Sequence, residues 1–255
     1  MAQLNYDGVA AHYDQRYKVH SYSGTQACLA AWLHELPRVS EQAQLLEVGC
    51  GTGRWLEFAA ERGCSVSGVE PAAAMLERAH ARVSGDLRRG RAEALPWPDG
   101  AFDGVMFVNA FHHFTAPEVA LREAWRVLRP GGRVMWIGLD PHARAGRWYV
   151  YEFFPEARAL DCARFAPWEL RRAWLQAAGF DEVSVSVAEP LRGARTLEDT
   201  REQGLLARSF TSQLSQLSDE QYAAGLARIA AAATADPELR LHADIDLYAT
   251  SAHRP

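Results

Sequence analysis

The chain has 255 residues, 48% hydrophobic and 23% charged, a composition typical of a globular protein rather than a disordered, fibrous or membrane chain. Its formal net charge of −5 argues against a broad phosphate-binding surface, because nucleic-acid binders concentrate basic residues in one footprint. We therefore expect no nucleic-acid partner.

From residue 45 onward, short apolar runs alternate with longer helical patterns, as in parallel strands joined by crossover helices. The fold class predicted is therefore α/β. The predicted strands are 45–48, 65–69, 102–108 and 133–139, with a weaker one at 88–91. The predicted helices between them are 54–62, 72–83 and 117–128.

The pattern changes after Pro141. An aromatic-rich stretch precedes a helix at 168–178, and valines alternate with serines at 183–187, as in a half-buried strand. Residues 191–236 look mainly helical, and 245–249 form a last strand. Because no repeat or long Gly/Ser linker appears, we expect one domain over 1–255 with an N-terminal extension and a helical insertion late in the chain.

A glycine-rich turn follows the first predicted strand. Gly49, Gly51 and Gly53 stand between an apolar strand and a helix, where missing side chains let a ligand approach the backbone. The dinucleotide fingerprint needs a further glycine where Arg54 or Leu56 stands. An NAD site is therefore disfavoured.

Two acids flank this turn. Glu47 lies inside the first strand, where its carboxylate suits a cationic ligand and would repel a pyrophosphate. Glu70 ends the second strand, about twenty residues beyond Gly49, at the position where nucleotide-binding βαβ units place a ribose-binding acid. Each acid could alternatively play a structural part, Glu47 by accepting hydrogen bonds from the loop and Glu70 as a solvated strand end.

Four motifs follow one another in order: EVGCGTG at 47–53, GVEP at 68–71, GRAEALPWPDGAFD at 90–103 and LREAWRVLRPGGRV at 121–134. Together they resemble class I S-adenosylmethionine (SAM)-dependent methyltransferases. Within that superfamily the chain is most similar to the small-molecule branch that includes ubiquinone and menaquinone methyltransferases. The segment VAAHYD at 9–14 resembles that family's N-terminal lid.

The resemblance implies a Rossmann-like, seven-stranded and mostly parallel sheet with an antiparallel last strand and helices on both faces. It also implies a division of the chain into an N-terminal helical lid at 1–40, a SAM-binding core at 41–140 and acceptor-side insertions with the last strands at 141–255.

The same resemblance assigns cofactor contacts by position. Glu47 and the glycine turn would hold the methionine end of SAM, Glu70 the ribose and Met75 the adenine. Arg91 stands where many relatives carry an adenine-binding acid, and Glu93 could replace it. The full set of implied cofactor residues is Tyr13, Glu47, Gly49, Cys50, Gly51, Gly53, Glu70, Pro71, Met75, Ala92, Glu93, Asn109 and Ala110.

Candidate catalytic residues follow the fourth and fifth strands. His112 and His113 stand where the acceptor should approach, and a neutral imidazole can accept a proton near pH 7. Asp140 and His142 are similarly placed. Each of these side chains could instead serve packing or local hydrogen bonding. Methyl transfer gains much from alignment alone, so a base is needed only for a hydroxyl or an acidic carbon.

Aromatic side chains after the fifth strand could wall an apolar acceptor or form the core under the insertion. They are Trp148, Tyr149, Tyr151, Phe153 and Phe154. Tyr17, with Tyr13, could close over SAM from the N-terminal segment.

The four cysteines form no CxxC pair, and we expect reduced thiols and no metal. No signal-peptide pattern and no run of about 18 apolar residues occurs, which predicts a cytoplasmic chain without a membrane span.

The function predicted is transfer of a methyl group from SAM to a small-molecule acceptor by in-line displacement, with S-adenosylhomocysteine as product. The alternatives are a SAM-binding regulatory module without turnover and an NAD-dependent oxidoreductase. The sequence leaves open the acceptor, the methylated atom, the base and the choice between monomer and homodimer.

Overall fold

A seven-stranded sheet is the centre of the computed structural model, which describes residues 13–14, 16–38, 41–143 and 146–255. Its strands, with the small β7–β8 pair, are β1 (Gln44–Val48), β2 (Ser65–Glu70), β3 (Asp86–Arg89), β4 (Phe102–Val108), β5 (Leu128–Leu139), β6 (Asp181–Leu191), β7 (Ala194–Arg195), β8 (Leu241–His242) and β9 (Ile245–His253).

The strand order is β3-β2-β1-β4-β5-β9-β6. The first five strands of this order run parallel, and β9 runs antiparallel to both β5 and β6. Apolar side chains on both faces of β1 and β4 explain their central positions, because parallel strands are covered on both sides. The mostly parallel sheet with an antiparallel last strand is confirmed.

Helices cover both faces of the sheet. They are α1 (Arg16–Val19), α2 (Ser23–His34), α3 (Arg54–Ala60), α4 (Ala73–Arg82), α5 (Pro117–Val127), α6 (Tyr149–Phe153), α7 (Pro155–Arg164), α8 (Trp168–Ala177), α9 (Leu197–Glu202), α10 (Ser212–Ser215) and α11 (Asp219–Ala235). Successive side chains of a strand point to opposite faces of the sheet. Leu45 of β1 therefore packs in the core with α2 and α3, and Leu46 packs in the other core with α5. Among the described helices, none has the length and apolarity to cross a bilayer.

Two strand boundaries differ from the sequence prediction. β3 lies two residues earlier than 88–91, because it pairs in parallel with β2 up to Glu70. β5 begins at Leu128 rather than at residue 133 and runs through Pro130, Gly131 and Gly132. Gly131 N–H donates to the carbonyl of Arg254, so this Pro-Gly-Gly segment is held by the far end of the chain.

The region from 191 to 236 is less regular than predicted. It contains the short strand β7 and the helices α9, α10 and α11, separated by turns. α11 begins after Ser218, which forms a capping box with Gln221. β7 pairs with β8, which ties this late segment to the beginning of β9.

Packing of α11 on α6 predicts an unusual effect of a helical glycine. A Cβ at Gly225 would overlap the Phe154 ring. We expect Gly225→Ala to lower the free energy of unfolding by about 1 to 3 kcal/mol, although glycine to alanine in a helix normally stabilises. Urea unfolding measures the change, and exposed Ala223→Gly, expected to cost about 1 kcal/mol, is the matched control. A Gly225→Ala variant more stable than the wild type would contradict this packing.

Candidate active site

The glycine turn after β1 forms one wall of the site. Gly49 has a φ of +76°, and a Cβ there would lie 2.6 Å from the Cβ of Ala110, which follows β4. Gly53, with a φ of +78°, caps α3 and would place a Cβ 3.1 Å from Ala79. Left-handed backbone and close approach together require glycine here. The predicted pair Gly49 and Ala110 is thus brought together.

Glu70 organises the turn from β2. One carboxylate oxygen accepts the N–H of Gly51 and the other accepts the N–H of Ala72, each at 3.0 Å. The side chain is buried rather than solvated. These two hydrogen bonds tie the carboxylate to the backbone on either side of the strand end.

Glu47 is the most buried acid near the turn, at 1% exposure. Burial and the nearby charge of Glu70 raise its pKa well above the usual range, and a hydrogen bond from the Leu56 backbone opposes them. Its Oε2 has no hydrogen-bond partner among the described residues. A buried carboxylate oxygen left without a donor, beside a turn open to a ligand, fits the ammonium of a SAM methionine moiety.

An N-terminal contact reaches this turn. Asp14 accepts hydrogen bonds from the Thr52 hydroxyl at 2.8 Å and from the Arg82 guanidinium at 2.5 Å, and Arg82 also donates to the Thr52 carbonyl. Tyr13 Cε1 lies 4.0 Å from the position of a Cβ on Gly51. Asp14, Thr52 and Arg82 were not predicted as site residues, although Asp14 belongs to VAAHYD. Residues 9–12 of that segment lie outside the described part of the chain.

The residues assigned to the adenine side are only partly open. Met75 and Ala92 are buried, and Pro71 is exposed. Glu93 accepts hydrogen bonds from the hydroxyl and N–H of Thr115, and Arg91 lies 3.5 Å from its carboxylate. Burial would raise the Glu93 pKa, but these hydrogen bonds lower it. Its carboxylate is therefore already engaged within the protein.

Cys50, within the turn, is buried, and burial with the charges of Glu47 and Glu70 raises its pKa well above the usual range. Its side chain is therefore a thiol rather than a nucleophilic thiolate.

Asn109 ends β4 in the left-handed region, with a φ of +54°. Its N–H donates to the carbonyl of Ile137 at 2.8 Å, which holds this backbone against β5. Non-glycine residues seldom adopt this backbone conformation, and those that do are often found at functional sites. It is followed by a single 3₁₀ turn, Phe111–His113, that carries both candidate histidines.

A cavity of about 170 Å³ opens beside Asn109 and includes His112 and His113 in its walls. The two imidazole centroids are 3.9 Å apart, and His112 stacks on Phe165 at 4.3 Å. Tyr13, Trp148 and Tyr149 also line it, joined by residues the sequence did not single out: His20, Tyr22, Leu139, Phe165, Leu191, Arg195, Leu205, Ser209, Phe210, Thr211, Ser212, Gln213, Ser215, Ala243, Ile245 and Leu247.

Asp140 lies outside this lining. Its carboxylate forms a buried ion pair with Arg171 of α8 and accepts the N–H of His142. His142 in turn hydrogen bonds through Nε2 with the carbonyl of Phe165 at 2.7 Å. The structure therefore brings His112 and His113 to the cavity but holds Asp140 and His142 in contacts of their own.

The five aromatic residues after β5 divide between two places. Trp148 and Tyr149 line the cavity, whereas Tyr151 donates its hydroxyl to buried Asp161 and Phe154 stacks on Tyr222. Phe153 is buried in the core. No group of three or more His, Cys, Asp or Glu side chains among the described residues is arranged to hold a metal ion.

Comparison with known proteins identifies the family of the chain. The family profile described as "Methyltransferase domain" matches residues 46–136. The chain is 34% identical to the ubiquinone biosynthesis O-methyltransferase of Methylocella silvestris over 64% of the chain and 69% of that protein. It is 35% identical to the demethylmenaquinone methyltransferase of Thermus thermophilus over 44% of the chain, which spans about half (54%) of that relative.

A solved structure shares the fold. The putative methyltransferase from an antibiotic biosynthesis pathway of Anabaena variabilis superposes with a TM-score of 0.69 at 24% identity, over 90% of this chain and 99% of that one. These comparisons favour neither a regulatory module nor an NAD-dependent oxidoreductase.

The raised pKa of Glu47 predicts a pH-dependent stability. Between the ordinary carboxyl pKa and the raised one, the folded protein keeps a proton that the unfolded chain has lost, so stability falls as pH rises through this window. Glu47→Gln removes this loss. We expect the stability of the variant relative to the wild type, measured by urea unfolding without ligand, to be higher at pH 8 than at pH 5. A difference that does not change with pH would contradict the assignment.

Proposed function

The chain belongs to the class I SAM-dependent methyltransferases, and we propose that it methylates a hydroxyl group on a small apolar or aromatic acceptor bound in the cavity beside His112 and His113. It is an enzyme that transfers the methyl group of SAM to a small molecule. The observation that carries the hydroxyl assignment is the pair of imidazoles lining the cavity at the end of β4.

A hydroxyl needs a base, because a neutral alcohol or phenol is a poor nucleophile. His112 and His113 are the candidates, since either can receive the hydroxyl proton on a ring nitrogen. Asp140 is the weaker one, because its carboxylate is held by Arg171 and lies away from the cavity. The printed name of the Methylocella silvestris relative, an O-methyltransferase, supports an oxygen acceptor.

The part of the site proposed to bind SAM lies at the ends of β1, β2 and β4. The glycine turn at 49–53 and Glu47 would hold the methionine moiety of SAM, and Glu70 the ribose. When bound, SAM supplies a methyl carbon on a positively charged sulfur, and its carbon–sulfur bond breaks as the oxygen–carbon bond forms. Asn109 and Ala110, beside Gly49, would border the reacting carbon, and Tyr13 would cover the turn.

The walls of the cavity support an apolar or aromatic acceptor. Trp148, Tyr149 and Phe165 contribute rings, and Leu139 and Leu247 contribute aliphatic side chains. Such walls exclude water and favour burial of apolar surface. Alignment of the acceptor oxygen by these walls would supply much of the rate enhancement.

Further properties stay predictions of the sequence. They are a single domain divided at about residues 40 and 140, a monomeric or homodimeric state, no nucleic-acid acceptor and a cytoplasmic location.

Substitution of the histidines tests the base. We expect His112→Asn or His113→Asn to lower kcat by about 10²- to 10⁴-fold, with SAM affinity within about twofold of the wild type. Methyl transfer to a panel of catechols and phenols measures kcat, and calorimetry measures SAM binding. His80→Asn, an exposed position on α4, is the control. If neither active-site variant loses more than tenfold, the histidines are not the base.

Substitution of Glu70 tests the cofactor half. We expect Glu70→Ala to weaken SAM binding at least about tenfold, because it removes the charged acceptor proposed for the ribose. The backbone N–H groups of Gly51 and Ala72 also lose their hydrogen-bond acceptor. Calorimetry with SAM and S-adenosylhomocysteine measures the affinity, and Glu77→Ala, exposed on α4, should bind as the wild type does. A wild-type protein that bound neither compound would overturn the proposed function.

A further inference from the structure

Arg195 is the one arginine or lysine among the described residues that line the cavity. It lies in β7 and pairs with Leu241 of β8, the short strand that comes just before β9 in the chain. Its side chain lines the same cavity as His112 and His113, although it follows His113 by more than eighty residues. None of the described residues lining the cavity is an aspartate or a glutamate.

None of the ion pairs formed among the described residues includes the guanidinium of Arg195. The pKa of Asp199 in α9 is lowered by the hydrogen bond from Thr196 and, to a smaller extent, by the charges of Arg240 and Arg195. That carboxylate is committed to Thr196, whose hydroxyl donates to it at 2.6 Å. By contrast, the neighbouring Arg192 pairs with Asp246 at 2.5 Å.

The charge of Arg195 extends over the cavity wall. Burial lowers the pKa of His20, and Arg195 lowers it further against the opposing charge of Glu189. Burial raises the pKa of Tyr149, and Arg195 partly offsets that rise. Both rings line the cavity, so a bound molecule would feel the same positive field.

Apart from Arg195, most of the exposed surface of the described cavity wall is apolar. Such a cavity suits a ligand that has an apolar body and one anionic group. Arginine binds carboxylates through two parallel hydrogen bonds, and such charge-assisted bonds strengthen where water is excluded. A positive side chain with no acid beside it would be paired when an anionic acceptor binds.

We propose that Arg195 binds a carboxylate of the acceptor, so that the enzyme selects aromatic or apolar acids that also carry a hydroxyl. The acid group lies at Arg195, the apolar body lies between the rings and aliphatic side chains, and the hydroxyl lies at His112 and His113. This inference rests on the proposed function, because it specifies the substrate class of the same cavity.

Matched acids and amides test the proposal. The probes are 3,4-dihydroxybenzoate with 3,4-dihydroxybenzamide, and 3-(3,4-dihydroxyphenyl)propionate with its amide. We expect the wild type to prefer each acid over its amide by about tenfold or more in kcat/KM, from the charged hydrogen bonds. Arg195→Met should lose that preference, because the KM for the acid rises by a larger factor than the KM for the amide.

Two further variants sharpen the comparison. Arg195→Lys keeps the charge without the bidentate geometry and should recover part of the preference. Arg240→Met removes an exposed arginine that does not line the cavity and should behave as the wild type. Calorimetry of each acid with the S-adenosylhomocysteine complex provides a reading that does not depend on turnover.

The proposal is overturned if the wild type does not prefer the acids, if Arg195→Met keeps the preference, or if neither acid binds the S-adenosylhomocysteine complex. If SAM itself does not bind, the proposed function is wrong. If SAM binds and the enzyme shows no preference for the acids, only the proposed role of Arg195 is wrong.

Discussion

The close approach of Gly49 to Ala110 is the constraint on which the site depends. β1 and β4 are neighbours at the point where the strand order reverses, so the loops after them diverge and leave a crevice at their carboxyl ends. A side chain at position 49 would collide with Ala110 and force these loops apart. Because both loops start from this contact, the turn held by Glu70 and the left-handed Asn109 have fixed positions relative to one another.

The parts of the fold and site that the sequence predicted are those that neighbouring residues determine. Continuous apolar runs predicted the central strands. The acids beside the turn were recognisable because a charged residue inside an apolar strand is exceptional. The structure places Glu47 and Glu70 buried around the turn, whereas their contacts with SAM stay proposals.

The parts that the sequence did not predict depend on partners distant along the chain. β5 extends through Pro130 and Gly131 because Arg254 supplies a hydrogen-bonding partner, which local helix-ending signals do not reveal. Asp140 looked available for catalysis, but Arg171 on a later helix pairs with it. Arg195 carried no motif, and it lines the cavity from β7, which pairs with β8 late in the chain. Pattern reasoning has no access to such tertiary contacts.

The described wall of the cavity comes from two groups of segments, one beside the glycine turn and one later in the chain. His112 and Leu139 come from the loop and strand beside the glycine turn, whereas much of the remaining wall comes from 148–149, 191–215 and 243–247. Substitutions in those later segments change the shape and charge of the chamber while leaving the turn and its acids intact. A descendant of such a chain can therefore change what it modifies while it keeps the residues proposed to hold SAM.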